Sequence, residues 1–405
     1  MTDQTIKLYR YRWVVLGVFM FVNLTMQMLW ITFSPITGPA ARYYGVSDLM
    51  IGWLSMIFMI AFIPFSLPAS WAIDTFGFHK AVGFGVILMG VFGVLRGLAG
   101  ANYTLVLICT GFIAIGQPFL LNAWTKVPAR WFAVTERATA VGIVTLANLL
   151  GTAIGMVLTP ILIESMPIST VQLIFGSIAA LSALLFLVLA KEYPPTQPAP
   201  EGTEVRSLML DGLKHALTVK DFWLFLAVSF IGVGIFNGLN TWVETIIRPR
   251  GFTPTDAGIL GAVLLVAGLL GAVILPSFSD KQRKRTKFMM IGIVFAIPGL
   301  IGLTFAQNYW LLLLSGAVVG FFLISVLPIG IQYAAEITIP TPEGTSNGLI
   351  QLFGQGAVVF VYIMAALRTP DGAFTRSLLL GVAMLLVCVL LITQMHDPDF
   401  VEKPK

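Results

Sequence analysis

Inside its apolar runs this chain places polar side chains at helical spacing, and almost all of them are neutral. Asn23, Gln27, Trp30 and Ser34 lie three and four residues apart and share one face of a helix. The mix of amide and aromatic groups returns in Gln117, Asn122, Trp124 and Thr125, in Asn237, Asn240, Thr241 and Trp242, in Gln332 and Tyr333, and in Gln351, Gln355 and Tyr362. The chemistry open to such a lining is recognition. Aromatic faces attract a desolvated organic cation through the ring quadrupole, by about 2 kcal/mol or more, and an amide meets a hydroxyl or small head group on the same molecule. A membrane tryptophan ordinarily sits at the lipid interface, so the pattern is read as a group and no one of the nine tryptophans carries it alone.

Charged groups avoid the middle of these runs. Arg96 and Lys126 fall near run ends, and His79, His215 and His396 fall in polar segments. A carrier of organic acids, sugar phosphates or nucleotides is expected to place a buried cation on its substrate, so anionic cargo is disfavoured. Haem is disfavoured too, because its iron takes His, Cys, Met or Tyr and its propionates take Arg or Lys. Among carboxylates, Glu164 and Glu336 lie toward run ends, and Glu244 reads as an outer-mouth acid partnered by Arg248 one turn on. A proton relay therefore lacks a well-placed acid, which favours facilitated diffusion. No Ser/His/Asp set or metal-ligand cluster stands within reach of a membrane face, so neither an enzyme nor a cofactor is expected. Cys109 and Cys388 lie in apolar runs without CxxC or Cys/His spacing and read as small packing residues.

The elements that must position these residues follow from composition. Of 405 residues, 57% are hydrophobic and 11% charged, against roughly 25% charged in soluble domains, and the mean hydropathy is +0.91. A water-soluble fold is excluded. The surplus of basic residues, +5 in net charge, punctuates apolar stretches and lines no face, which speaks for a lipid bilayer and against nucleic acid as partner. Because about 20 apolar residues cross a bilayer, twelve spans are predicted: 12–35, 50–73, 81–100, 104–126, 137–163 and 169–190, then 221–247, 255–279, 287–306, 309–335, 344–368 and 374–395. The first is too long for a cleaved signal peptide and lacks a small-residue cleavage site.

The expected fold class is an all-α membrane protein, with twelve transmembrane helices in two pseudo-symmetric six-helix bundles. The predicted domains are an N-terminal bundle, 1–190, a cytoplasmic linker, 191–220, and a C-terminal bundle with its tail, 221–405. The linker opens with four prolines among seven residues, and Ser207–Leu213 has the spacing of a short amphipathic helix on the membrane face. With the N-terminus inside, 18 lysines and arginines fall on the cytoplasmic side, among them Lys7, Arg206, Lys403 and Lys405, and 6 on the other. Both termini are therefore expected in the cytoplasm, in a plasma or bacterial inner membrane, and the chain is expected to act as a monomer.

An internal repeat supports the two halves. Asp74 and Asp280 follow the second and eighth spans, Glu136 and Glu343 precede the fifth and eleventh, and Trp13 and Trp223 open the first and seventh, each pair 206 to 210 residues apart. With Asp74-Thr75-Phe76-Gly77 after the second span, the chain resembles the major facilitator superfamily, whose loop signature is Gly-x-x-x-Asp-x-x-Gly-Arg/Lys; Ser70 replaces the first glycine and Phe78-His79-Lys80 the basic end. The resemblance implies alternating access of two bundles around a central site. It also implies a gating role in which Asp74, with Asp280 as its repeat partner, pairs with a cation at the end of the fourth or fifth span, Arg130 or Arg137. A solvated loop ion pair is the plainer alternative.

Three segments narrow the family. Arg42 to Met56, with Ile63-Pro64 and Pro68 to Asp74 after it, Arg130-Trp131-Phe132 with Asn148 to Gly155, and Glu343 to Leu349 resemble the feline leukaemia virus subgroup C receptor-related family. That family is known for choline and ethanolamine transport and for haem export. It implies a choline pocket built on a first-helix tryptophan, matched by Trp30, and an eleventh-helix glutamine, matched by Gln355, with Gln117 also having a counterpart. The family's seventh-helix tyrosine falls on Phe236, which keeps the ring and loses the hydroxyl, and Asn122 and Trp124 depart from the pattern. The small-molecule substrate expected is thus an organic cation, lined by Gln27, Trp30, Gln117, Asn122, Phe236, Asn240, Gln351 and Gln355. The alternatives are a small organic-anion exchanger, which needs Arg96 or Lys126 turned inward, a haem transporter and a nontransporting membrane sensor.

Overall fold

In lipid a backbone with no water to bond must satisfy itself, so a long apolar run folds as helix. The computed structural model describes residues 9–133, 136–195, 210–339, 341 and 343–397. Among these the chain is helical throughout, with no strand, and twelve helical segments are long and apolar enough to cross a membrane, as the sequence predicts. Two compact units divide the chain, Met1–Val205 and Arg206–Lys405. Of the predicted linker, 196–209 lies outside the described residues, as do Lys7, Arg206, Lys403 and Lys405 of the charge count and Ser207–Met209 of the short helix.

The first unit holds α1 (Arg12–Ile31), α2 (Thr37–Tyr44), α3 (Asp48–Phe76), α4 (Phe78–Leu98), α5 (Tyr103–Leu121), α6 (Lys126–Trp131), α7 (Arg137–Ile163) and α8 (Ile168–Leu189). Its first span runs to Tyr44, beyond the predicted end. Pro35 cannot donate a backbone hydrogen bond, so α1 stops, a 3-10 turn spans Ser34–Ile36, and α2 carries the chain on to Gly45 in the left-handed conformation. The fourth span is shorter than predicted. It ends at Leu121, three residues after Pro118, and α6 begins a separate turn of chain at Lys126. Phe19, Val22, Phe58, Val82, Phe175 and Phe186 belong to the main core of this unit, and Phe33, Ile36, Tyr44, Ile51, Leu54, Val106 and Ile168 form a second cluster where α1 breaks.

Small residues let the helices approach. A side chain at Gly151 of α7 would strike the Leu24 carbonyl of α1, and one at Gly176 of α8 would strike the Gly93 backbone of α4. Outward faces carry large apolar groups such as Trp71, Leu98 and Val188, exposed as lipid contact requires.

The second unit repeats the plan in α9 (Leu210–Thr218), α10 (Lys220–Ile247), α11 (Pro254–Gln282), α12 (Arg285–Phe305), α13 (Tyr309–Ile337), α14 (Glu343–Gly356), α15 (Val358–Ala366) and α16 (Thr375–Ile392). The helix pairs starting at Asp48 and Pro254, at Tyr103 and Tyr309, and at Arg137 and Glu343 are each 206 residues apart, the offset that the sequence landmarks carry. Its eleventh span is two helices, broken at Ala357 after Gly354-Gln355-Gly356.

Candidate functional site

Within the first unit the face of α1 that carries Asn23, Gln27 and Trp30 is built from both committed and uncommitted groups. Trp30 is half-buried, and its indole N–H donates to the Ser55 carbonyl of α3 at 3.2 Å, which fixes the ring and leaves its face as the remaining surface. Asn23 is tied down: its Nδ2 donates to Phe19 O at 2.8 Å and its Oδ1 accepts from the Trp124 indole at 2.9 Å. Gln27 and Gln117 are buried, yet neither amide has a hydrogen bond among the described residues. Asn122 differs. Its Nδ2 donates to Ser66 O, Ser66 Oγ and Ser70 Oγ at 2.9, 3.1 and 3.0 Å, a clamp on the stretch of α3 that carries Pro64 and Pro68.

In the second unit Gln355 sits between Gly354 and Gly356, whose vacant side-chain positions face Val233 and Phe230 of α10 at 3.6 Å. Phe236 is half-buried and lies one turn beyond Val233 on that helix. Neither Gln355 nor the exposed Gln351 is hydrogen-bonded among the described residues. Asn240 is buried, donates from Nδ2 to Phe236 O at 2.8 Å, and leaves its Oδ1 without a partner. Trp242 is buried with its N–H on Val361 O, and Gln332 donates to Glu336. Glu244 and Arg248 pair at 3.7 Å, as their spacing predicts.

The ionic residues form the following pairs. Asp74 meets Lys126 at 2.7 Å, one turn before Arg130. Arg130 is buried, ion-pairs with Glu192 and lies over the rings of Tyr193 and Phe78, while Arg137 donates to the carbonyls of Phe132 and Ala129. Lys126 and Arg130 both lie on α6, after the end of α5 at Leu121. Sequence reasoning missed Glu192. Its carboxylate accepts from the backbone N–H groups of Phe78 at 2.9 Å and His79 at 2.6 Å, at the N-terminus of α4 where a negative charge is favoured. The loop glycine is explained by the same group: Gly77 has φ +87°, and a Cβ there would meet Glu192 Oε1 at 2.5 Å. The one signal for Glu192 is an acid placed just after the sixth span.

Asp280 pairs with Arg285, whose Nε and Nη2 also fork onto Glu336 at 3.1 and 2.8 Å. Of the two cations on which an anion reading depends, Lys126 is paired with Asp74, and Arg96 donates from Nη1 to the Leu29 carbonyl at 3.1 Å.

The sequence model described as "Major Facilitator Superfamily" matches residues 18–362 and 250–403. The chain is 31% identical over 382 residues to "Solute carrier family 49 member A3" of Danio rerio, covering 89% of this chain and 80% of that one. It is 28% identical over 370 residues to "Choline/ethanolamine transporter FLVCR2" of Homo sapiens, covering 86% and 70%. Among solved structures, a bacterial homologue of the human lysosomal transporter Spinster matches with a TM-score of 0.79 at 16% identity, over 96% of this chain and 97% of that one.

Proposed function

Because the chain belongs to the major facilitator superfamily and, within it, to the feline leukaemia virus subgroup C receptor-related family, we propose that this transporter carries a choline-like amine by alternating access, without a coupling proton. Trp30 and Phe236 pack on the ammonium, and Gln117 and Gln355 take the polar tail. Gln27, Asn240 and Gln351 supply further amide groups beside them.

The observation that carries this reading is the state of polar groups buried in the first unit: an indole locked by its N–H, with its face left over, and amides of Gln27 and Gln117 that no described residue engages. A quaternary ammonium has no hydrogen to donate and is held by ring faces, while its hydroxyl or small head group answers an amide. The names of relatives such as the human protein at 28% identity point the same way. Facilitated transport follows from the lack of a mid-span acid, Glu244 being already paired with Arg248.

The protein is a multi-pass integral membrane protein. The lysine and arginine bias supports a plasma or bacterial inner membrane with both termini cytoplasmic. The family resemblance supports a gating role for Asp74 and Asp280 with the cations Arg130 and Arg137, and the pairs of Asp74 with Lys126 and of Asp280 with Arg285 are the contacts that would open and close with the transport cycle.

Radiolabelled choline uptake into proteoliposomes tests the substrate. Uptake by the wild type that collapses in both Trp30→Ala and Gln355→Ala is the expected result. Failure to bind or move any quaternary amine overturns the reading. Accumulation driven by an imposed pH gradient, and abolished by Glu244→Gln, overturns the uncoupled mechanism.

A further inference from the structure

Arg96 lies in the last turn of α4 and is 1% exposed. Only Nη1 is hydrogen-bonded, to the carbonyl of Leu29 in the last turn of α1, where carbonyls lose their helical partners. The guanidinium carbon stands 5.4 Å from the centre of the Phe33 ring. Nε and Nη2, which together form one edge of the guanidinium, have no partner.

Other unsatisfied donors gather at the same level of the unit. Phe33 meets Tyr44 edge-on at 6.1 Å, and the buried Tyr44 hydroxyl is unpartnered. Gln172 of α8 is fully buried with neither amide atom bonded. Its chain neighbour Leu173 packs against Gly97, next to Arg96, and Ile168 one turn earlier belongs to the cluster of Phe33 and Tyr44.

Two other arginines of this chain have more of their donors placed. Arg285 places the same Nε–Nη2 edge on Glu336 as a fork, and Arg250 donates to the carbonyls of Leu303, Ala306 and Ile246. No carboxylate among the described residues pairs with Arg96. A buried guanidinium with one carbonyl and a ring face bears a desolvation cost that those contacts do not offset, and its open edge has the geometry that two carboxylate oxygens fill.

We propose that the first unit binds a small monovalent anion of carboxylate shape, such as formate or bicarbonate, on the Nε–Nη2 edge of Arg96, with the Tyr44 hydroxyl as a further donor. The site uses none of Trp30, Gln117, Phe236 and Gln355, so its failure leaves the amine reading standing.

The experiment is thermal unfolding of the purified full-length protein, titrated with formate at constant ionic strength, with gluconate as the bulky balancing anion. The unfolding midpoint of the wild type is expected to rise saturably by a few degrees. Arg96→Met is expected to lose that rise and to unfold in gluconate at or above the wild-type temperature. Tyr44→Phe is expected to need about ten times more formate for half the effect, the loss of one hydrogen bond to an anion. A wild-type midpoint indifferent to formate overturns the site, as does an Arg96→Met protein that keeps the rise. If Arg96→Met does not fold, Tyr44→Phe decides: an unchanged formate requirement overturns the proposal. A chloride titration as effective as formate overturns the carboxylate geometry.

Discussion

An indole whose N–H is already donated to a backbone carbonyl, as Trp30 donates to Ser55, has its ring faces left for a ligand. If Trp30 packs on the ammonium, Trp30→Ala removes about 2 kcal/mol of cation–π attraction and raises the half-saturating choline concentration roughly 30-fold. Trp30→Phe keeps a weaker face and falls between the two. Equal losses in both variants, measured by uptake, mean that the indole N–H and its positioning matter and the face does not. Arg285 shows the same logic for a buried cation. Its guanidinium is 7% exposed and divides its donors between Glu336 and the far more exposed Asp280. Glu336→Gln leaves the charge with its weaker partner and is expected to lower the unfolding temperature by several degrees, a loss of about 2–3 kcal/mol. Asp280→Asn leaves the Glu336 fork in place and costs little, and a reversed order in the thermal melts overturns this division.

Helices were legible from the sequence because lipid dictates their length: a chain must supply about 20 apolar residues per crossing, and every predicted span overlaps one in the structure. Breaks within spans were harder, since a proline is compatible with a kink as well as a stop. Pro64 and Pro68 stay inside α3, whereas Pro35 follows the end of α1 and sits in a 3-10 turn. Asn122 clamps Ser66 and Ser70 in the same stretch of α3, and no spacing rule reveals that contact. The polar lining of α1 was legible as a face, but its division into tied and untied groups depends on what α3 and α5 bring to it, as Trp124 brings its N–H to Asn23. Helix packing rests on small residues, and Gly176 is the sharpest case. Any side chain there meets backbone atoms of Gly93 and Val94, which cannot rotate away. Gly176→Val is therefore expected to force α4 and α8 apart at a cost of about 1–3 kcal/mol or more, read as a lower unfolding temperature. Gly142→Val, where no atom lies within 4 Å of the added Cβ, is the matched control and leaves that temperature near wild type.

At the scale of the whole chain the repeat is physical as well as numerical, because each unit fastens the segment after its sixth span to the start of its third. In the first unit Glu192 receives the backbone N–H groups of Phe78 and His79, and the Trp131 indole donates to Lys191 O at 3.0 Å. In the second, Asp397 receives the Thr286 N–H at 2.9 Å and the Tyr333 hydroxyl donates to His396 O at 3.0 Å. The acids are 205 residues apart, and so are the two carbonyls. The two fastenings differ in strength. Glu192 accepts two backbone donors at a helix N-terminus and also pairs with the buried Arg130, while Asp397 is exposed and accepts one donor at its own helix start. Glu192→Gln replaces one of the two accepting oxygens by an amide NH2 and removes the charge that Arg130 pairs with, a cost of about 2 kcal/mol from the weakened cap and the ion pair together. Asp397→Asn keeps an acceptor in an exposed place and changes little. Trypsin reads the outcome locally, because Lys191 lies inside the first fastening. Cleavage after Lys191 is expected to rise several-fold in Glu192→Gln and to stay at the wild-type rate in Asp397→Asn. Equal protection of Lys191 in wild type and Glu192→Gln means that the carboxylate does not hold the segment, and that the Trp131 bond alone does.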